Sequence, residues 1–452
     1  MRKNRITLST TQLIMISFFV VILIGSLLLV LPISSADGES VSYVDALFTA
    51  TTATCVTGLV TLPTVTTWSV FGQVVILCLI QIGGLGIITV VSGFMIAVHK
   101  KIGIADRLLI QDAFNLNTLS GLVKFVKKVI VGTIIVEGIG AVLYMTVFVP
   151  QYGLKGIWIS IFNSVSAFCN AGIDIISENS LCEYATNPVI NAVTCILIVL
   201  GGIGYVVWWD IIRIRKLYKT RGINCFKSLT LQSKIALWMT LILIFSGAFA
   251  FFVFEYNNPL TIGGHSIFDK IQISVFQSVT TRTAGFATIP QQNLTNPSAL
   301  VSLLLMFIGG SPIGTAGGVK TVTIAVLLIT ASSMIKNKDE ITIFNRAISQ
   351  KVVKKAVAVF SMSFAIMFAS SVLLSMVTDA PLPDILYETV SATATVGLTR
   401  NLTATLNVWG KIIIIVTMYL GRVGPISLAL ALNTKKDKQN IVKTPFEEIS
   451  VG

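Results

Sequence analysis

Charged residues are scarce in this 452-residue chain, at 12% of the total, against about a quarter in soluble domains. Only two histidines are present, and the six cysteines include no CxxC pair, so no transition-metal site is expected. The sequence also lacks a GxGxxG motif after a strand and a Walker motif, so no cofactor or nucleotide is expected in this chain. Cys169 and Cys182 share one loop and could oxidise together, but we predict no structural disulfide.

Long apolar runs take the place of charge: 54% of residues are hydrophobic and the mean hydropathy is +0.84. A helix needs about 20 such residues to cross a bilayer. Eight runs of that kind occur, at 12–33, 70–98, 129–149, 189–209, 231–254, 299–334, 352–377 and 408–432. The first follows a basic start and could be a signal peptide, but its length favours a retained helix. The sequence therefore predicts an all-α membrane protein with eight transmembrane helices.

The basic residues report topology, although a net charge of +13 could also suggest nucleic acid. Of the 33 Lys and Arg residues, 26 lie before the first run or in four segments, 100–128, 213–234, 336–355 and 435–443. Few lie in the opposite connections. By the positive-inside rule, both termini and the three basic loops are cytoplasmic, and no nucleic-acid partner is expected. The basic loops are also suited to anionic lipid.

Four short segments repeat between successive apolar runs. They read DALFTATTATCVTGL, ISIFNSVSAFCNAGI, QISVFQSVTTRTAGF and DILYETVSATATVGL, and the glycine at position fourteen recurs after 114, 113 and 112 residues. The aromatic residue stands ten positions before the glycine in three copies but nine before it in the third. We predict four membrane helix–pore helix–membrane helix repeats with pseudo-four-fold symmetry around one pore. Their bounds are 1–100, 101–215, 216–337 and 338–434, followed by a cytoplasmic tail at 435–452.

Each segment is too short to cross a bilayer and suits a re-entrant half-helix that its glycine ends. Irregular backbone at membrane depth needs burial in protein or a watery cavity, so the four segments should converge on one axis. A ring of carbonyl oxygens there can replace the hydration shell of a cation, and negative helix ends favour a cation further. Thr395, Val396 and Gly397 are the closest to the TVG of tetrameric potassium channels. We predict a cation selectivity filter.

The sixth apolar run contains a polar, glycine-rich break that cannot remain helical. We predict a gating loop at 309–318, with a packing kink as the alternative; its gate residues are Gly309, Gly310, Ser311, Gly314, Thr315, Gly317 and Gly318. Arg422 lies within the last run, where an unpaired charge is costly, so it should face the interior and raise the barrier below the filter. The alternative for Arg422 is snorkelling to the cytoplasmic interface.

Two other charged residues, one within a predicted span and one beside the third filter segment, have more than one interpretation. Glu137 lies within a span and could mark an ion path or a proton relay, but no second titratable residue accompanies it at helical spacing, so we favour helix packing. Arg282 could anchor the third segment or repel cations at the mouth of the pore. We favour anchoring.

The sequence resembles the potassium-translocating membrane subunits of Ktr systems (KtrB type), in the Trk, Ktr and HKT superfamily. The resemblance covers almost the whole chain and rests on CVTGL, LIQIGGLGI, FCNAGID, GGIGY, TRTAGF, SPIGTAGGVKT, TATVGLT and GRVGP. It implies potassium uptake across a bacterial plasma membrane and potassium bound at the filter. The implied filter residues are Thr54, Cys55, Val56, Thr57, Gly58, Cys169, Asn170, Ala171, Gly172, Thr283, Ala284, Gly285, Thr395, Val396 and Gly397.

The same resemblance implies a homodimer on a cytosolic ring of nucleotide-binding subunits (KtrA type) that regulates opening, with sodium as an activator. A sodium-coupled or less selective monovalent cation transporter is the alternative. A membrane enzyme would need titratable groups gathered in the bilayer, and an inverted-repeat transporter would need alternate copies with opposite orientation. Neither pattern is present in the sequence.

Overall fold

The computed structural model describes residues 10–98, 103, 107–108, 110–111, 121–338 and 340–424. The predicted tail, the end of the eighth apolar run and much of the first basic loop lie outside the described residues. Within the first two predicted repeats the helices are α1 Thr10–Val30, α2 Tyr43–Cys55, α3 Thr64–Thr67, α4 Val70–Leu85, α5 Ile87–Ala97, α6 Leu122–Tyr152, α7 Lys155–Cys169, α8 Pro188–Gly202 and α9 Tyr205–Arg221.

The second half continues with α10 Leu231–Glu255, α11 Ile267–Thr280, α12 Asn296–Phe307, α13 Thr321–Ile335, α14 Gln350–Ser375, α15 Leu382–Ala394 and α16 Val408–Val423. A two-stranded antiparallel hairpin pairs β1 Thr342–Ile343 with β2 Arg346–Ala347. Short 3₁₀ turns lie at Pro32–Ser34, Cys182–Tyr184, Gly222–Ser228, Gln291–Asn293 and Thr403–Thr405.

Four of the described helices, α1, α6, α10 and α14, are long and apolar enough to cross a membrane, and two bent pairs could each supply a further span. Their outward faces are apolar, as at Phe245 and Phe249, which are each 70% exposed. Such a surface suits lipid rather than water. The prediction of a mainly helical membrane protein is confirmed at this level, while the count of eight spans stays a prediction.

The second and fourth apolar runs differ from the continuous spans that the sequence predicts. The pairs α4/α5 and α8/α9 each bend by 97°. The chain turns at Gly86 (φ 83°, ψ 134°) and Gly204 (φ 94°, ψ 137°), which are conformations that residues with a β-carbon rarely adopt. The chain stays apolar on both sides of Gly86, and the apolar run of the fourth segment continues for a few residues past Gly204 before charged residues begin at Asp210. A hydropathy pattern therefore does not reveal either bend.

The short helices α2, α7, α11 and α15 form the centre of the molecule. Each packs against the first long helix of its own predicted repeat and against the helix that ends the preceding repeat's pair, and α2, α7 and α15 also pack against the helix that follows them in their own repeat. The second set of contacts pairs α4 with α7, α8 with α11, α12 with α15 and α16 with α2. Because the last pair returns to the first short helix, the four units close into a ring.

Candidate functional site

The four segment glycines lie side by side at the ends of the short helices. A β-carbon built on Gly58 would lie 2.5 Å from the carbonyl oxygen of Ala171, and one on Gly172 would lie 2.5 Å from that of Ala284. The series continues from Gly285 to the carbonyl oxygen of Val396, at 2.5 Å, and from Gly397 to that of Thr57, at 2.2 Å. Every glycine thus abuts the carbonyl oxygen that precedes the next glycine. We call Gly58, Gly172, Gly285 and Gly397 the glycine ring.

Backbone conformation repeats around the glycine ring as well. The ring glycines have φ of 98°, 64°, 85° and 98°, and the residues two positions earlier, Val56, Asn170, Thr283 and Thr395, have φ of 55°, 59°, 70° and 50°. Two left-handed residues separated by one position give each segment the same sharp turn after its helix. A side chain at any ring glycine would meet both the strained φ and the neighbouring carbonyl.

The remaining predicted filter residues lie close to these turns. Thr54, Cys55 and Cys169 belong to the last turns of α2 and α7, and the others follow the helix ends. The hydroxyl oxygens of several buried threonines in these segments have no hydrogen-bond partner in the described part of the protein: Thr54, Thr57, Thr283, Thr393 and Thr395. Oxygen atoms of this kind suit a hard monovalent cation or the water that accompanies it.

A cavity of about 380 Å³ opens on one side of the glycine ring and is lined by all four ring glycines. Its wall includes Asp174 and Glu178, which would attract cations to the mouth. Asp174 lies in the loop after Gly172, outside the membrane-spanning helices. Burial raises the pKa of Asp174 to about 6, although hydrogen bonds from Ser180 and from the backbone oppose the shift.

The glycine-rich loop, residues 309–318, is held at its neck by backbone hydrogen bonds. Gly309 donates to the carbonyl of Val319 at 3.0 Å, and Val319 donates to that of Phe307 at 3.1 Å. Further along, Ser311 donates to the carbonyl of Gly202 at 2.8 Å. The loop is therefore attached to the break between α8 and α9 as well as to its own helices.

Thr315 makes the densest set of contacts in this loop. Its amide donates to the carbonyl of Gly201 at 3.1 Å, and its hydroxyl donates to that of Phe168 and accepts from Asn170 Nδ2, both at 3.0 Å. The loop also contacts the fourth segment, which lies across the ring from the second. A β-carbon built on Gly317 would lie 2.0 Å from Thr395 Oγ1. The loop thus touches the second and fourth segments, which are opposite members of the ring, and crosses between them.

Arg422 joins this loop to another part of the molecule. Its guanidinium donates to the carbonyl oxygen of Thr315 at 2.6 Å and to that of Gly83 at the end of α4. The side chain therefore faces the interior, as the sequence predicts, rather than snorkelling outward. It also lines a second cavity, of about 200 Å³, together with Gly314 and Tyr205.

The two further charges have different surroundings. Glu137 accepts a hydrogen bond from Gln81 Nε2 at 3.1 Å, and its backbone carbonyl accepts one from Ser164 at 2.6 Å, which ties α6 to α4 and α7. These contacts suit helix packing. Arg282 is buried and donates to Thr240 Oγ1 at 3.4 Å, while its Nε has no partner among the described residues.

Sequence reasoning missed four hydroxyl side chains, those of Thr52, Ser166, Thr280 and Ser391. Each forms a hydrogen bond with the backbone at or just after its ring glycine. They stand six residues before the glycine in three copies and five before it in the third. The signal was present in the aligned segments, but the one-residue irregularity of the third copy obscured it.

Comparison with known proteins places this geometry in a family. A family model described as "TrkH: Cation transport protein" matches residues 2–444. The chain is 40% identical to Ktr system potassium uptake protein B of Bacillus subtilis over 442 residues, covering 98% of this chain and 96% of the relative. It is 38% identical to potassium/sodium uptake protein NtpJ of Enterococcus hirae over 457 residues, covering 100% and 99%.

A solved structure supports the fold. The potassium transporter TrkH from Vibrio parahaemolyticus matches with a TM-score of 0.76 at 17% identity, over 96% of this chain and 87% of the other. The family match spans nearly all of the sequence, and the two relatives match it almost end to end. The chain therefore belongs to the TrkH family of cation transport proteins.

Proposed function

We propose that this protein takes up potassium across the plasma membrane of a bacterium as the ion-conducting subunit of a Ktr-type system. The cyclic approach of each ring glycine to the preceding carbonyl of the next segment carries the proposal. Four carbonyl-bearing turns around one centre can replace a cation's water shell without a charged side chain. The names of the two relatives, one a potassium and one a potassium/sodium uptake protein, support this ion class.

The proposal includes the full repeat arrangement. Eight membrane spans in four repeats, bounded as the sequence predicts, would place both termini in the cytoplasm. The bent pairs then count as single spans that break below the glycine ring, and α12 and α13 form a span that the glycine-rich loop interrupts. The cavity of about 380 Å³ beside the glycine ring, here called the outer cavity, faces the outside of the cell. Asp174 and Glu178 meet arriving cations there.

The glycine-rich loop and Arg422 form the gate in this proposal. The loop crosses between opposite segments, and Arg422 fixes it to Gly83, so a cation that leaves the ring meets both backbone and positive charge. Opening requires the loop to release Arg422, Asn170 and the carbonyls of α8. A cytosolic nucleotide-binding ring, bound to a homodimer of this chain, would supply the energy for that change.

Growth tests the central proposal. A bacterium deficient in potassium uptake should grow at low potassium when it produces this chain with a matching cytosolic ring, and less well with the chain alone. Measurement of potassium content confirms that growth reflects uptake. Membrane-inserted protein that gives no potassium accumulation in either setting would refute the proposal.

A less selective monovalent cation transporter is the second candidate. The four ring segments differ in sequence, and the third is one residue shorter between its hydroxyl and its left-handed residue. An unequal ring should discriminate less strictly than one of four identical segments. Uptake of labelled rubidium in competition with sodium would separate the candidates, because sodium at equal concentration displaces rubidium only in the less selective case.

A further inference from the structure

Two buried hydroxyls form the same hydrogen bond in segments that differ in sequence. Gly58 donates its amide hydrogen to Thr52 Oγ1, and Gly397 donates to Ser391 Oγ, both at 3.0 Å. Thr52 and Ser391 are each 0% exposed, in the last turns of α2 and α15. The three residues directly before the glycine all differ between these segments, Cys55–Thr57 in one and Ala394–Val396 in the other. Since the hydrogen bond is the same despite this difference, it points to a common role.

The amide that donates belongs to the same peptide plane as a ring carbonyl. The N–H of Gly58 is joined to the C=O of Thr57, and the N–H of Gly397 to the C=O of Val396. In a trans peptide these groups point in opposite directions across a rigid plane. A hydroxyl that holds the N–H toward the short helix therefore holds the carbonyl oxygen away from it, where Thr57 O abuts Gly397 and Val396 O abuts Gly285.

The second and third segments use their hydroxyls differently. Ser166 donates to the carbonyl of Ile173 and Thr280 donates to that of Phe286, at 2.5 and 2.6 Å. Those carbonyls belong to residues after the ring glycine, so these hydroxyls secure the outer end of the turn rather than the ring peptide. In the third segment the amide of Gly285 donates to the backbone carbonyl of Thr280 instead, at 3.4 Å. Only the peptides at Gly58 and Gly397 are therefore held through the N–H by a side-chain hydroxyl in the described part of the protein.

We propose that Thr52 and Ser391 are positioning residues that set the cation preference of the ring by fixing the Thr57–Gly58 and Val396–Gly397 peptides. The inference rests on the proposed function of the glycine ring. Without the hydroxyl, each peptide plane rotates more freely, and its carbonyl no longer holds one distance to the ion. Discrimination between potassium and the smaller sodium ion depends on that distance and on the strength of the carbonyl field.

Reversal potentials of the full-length protein in liposomes test this proposal. Thr52→Val and Ser391→Ala, each made as a single variant, should each lower the potassium-to-sodium permeability ratio by about fivefold. This factor corresponds to the loss of one hydrogen bond. Thr52→Ser and Ser391→Thr keep a hydroxyl and should retain the parent ratio. Thr51→Val is the matched control, because the hydroxyl of Thr51 is equally buried but donates to the carbonyl of Leu47 within α2.

The outcomes separate the two levels of the argument. If the parent protein conducts no monovalent cation, the proposed function fails; if it conducts both ions equally, or if Thr52→Val and Ser391→Ala keep the parent ratio, the positioning role fails. A variant that does not conduct is compared by thermal unfolding of the purified full chain in potassium and in sodium. A smaller difference between the two salts than in the parent supports the proposal, and an unchanged difference overturns it.

Discussion

The glycine ring repeats the same backbone turn four times, whereas the layer beneath it, made of the glycine-containing breaks in the four second helices, does not repeat regularly. All four ring positions carry glycine with positive φ, and all four residues two positions earlier are left-handed. Beneath the ring, two breaks read GGLG (Gly83–Gly86) and GGIG (Gly201–Gly204), the last reads GRVG (Gly421–Gly424), and the third is expanded into the loop at 309–318. Arg422 occupies the place that Gly84 and Gly202 hold in the first two breaks.

This difference fits the roles that we propose for the two layers. A ring of carbonyls needs a similar contribution from every segment, because one missing oxygen leaves an ion partly unsolvated. A gate needs one element that can move while the others hold still. In the proposed gate, the glycine-rich loop and Arg422 therefore belong to different units, and Arg422 donates one hydrogen bond to Thr315 in the loop and one to Gly83.

A methyl group in the ring should have the largest effect. In Gly397→Ala the new β-carbon would lie 2.2 Å from Thr57 O, at a φ of +98°. A left-handed conformation costs a residue with a β-carbon roughly 1–2 kcal/mol, and the clash adds to it. We expect the initial rate of potassium uptake, measured in cells that lack their own potassium uptake systems, to fall by more than about tenfold. Gly264→Ala is the control, because a β-carbon there has no atom within 4 Å. Equal uptake rates in the two variants would contradict the proposal that ions pass through the glycine ring.

Removal of the positive charge of Arg422 should have the next largest effect, and it should raise cation flux rather than lower it. Arg422→Ala deletes the link between the glycine-rich loop and Gly83, and hydrogen bonds from a charged group are each worth about 1.5–3 kcal/mol. We expect basal rubidium flux without a cytosolic partner to rise about tenfold. Tyr419→Phe removes a hydrogen bond from the same helix to Met15 and should leave the flux unchanged. Unaltered flux in Arg422→Ala would exclude a gate at this position.

A smaller rise should follow from loosening the loop at one hydroxyl. Thr315→Val keeps the shape of the side chain but removes its bonds to Phe168 and Asn170, while the backbone bonds to Gly201 and Arg422 remain. We expect a rise of about three- to fivefold in the same flux assay, since two neutral hydrogen bonds are lost. Thr330→Val, which loses a bond inside α13, serves as the control. A flux equal to that control would show that the backbone bonds alone hold the loop.

The smallest expected effect is a dependence of potassium uptake on external pH, caused by Asp174 in the outer cavity. The pKa of Asp174 is raised to about 6 by burial, so the group is ionised at pH 7.5 and loses its negative charge as the pH falls through 6. We expect uptake from low potassium to fall about twofold between pH 7.5 and 5.5, and high ionic strength should weaken the change. Asp174→Asn should have a low rate at both pH values, whereas Glu183→Gln on the same loop should keep the parent profile. A parent-like profile in Asp174→Asn would assign the pH response to another group.

Much of the central region could be predicted because repetition amplifies a weak signal. One glycine after a short segment says little, but four in nearly constant register indicate a shared structure. The bends at Gly86 and Gly204 could not be predicted in this way, because the apolar run continues through each bend. The hydrogen bonds of Thr52 and Ser391 could not be predicted either, since hydroxyl residues are frequent in all four segments and only their hydrogen-bond partners distinguish them.

The amino-acid sequence by itself determined the membrane class, the fourfold repeat, the ring glycines and the loop that cannot be helical, because each depends on composition, spacing or intrinsic backbone preference. Only the tertiary structure decided which carbonyl each glycine meets, that the loop crosses between the second and fourth segments, and that Arg422 binds Thr315 and Gly83. The two contacts of Arg422 join residues more than 100 positions apart. Their geometry depends on how the helices pack, which local sequence preferences do not specify.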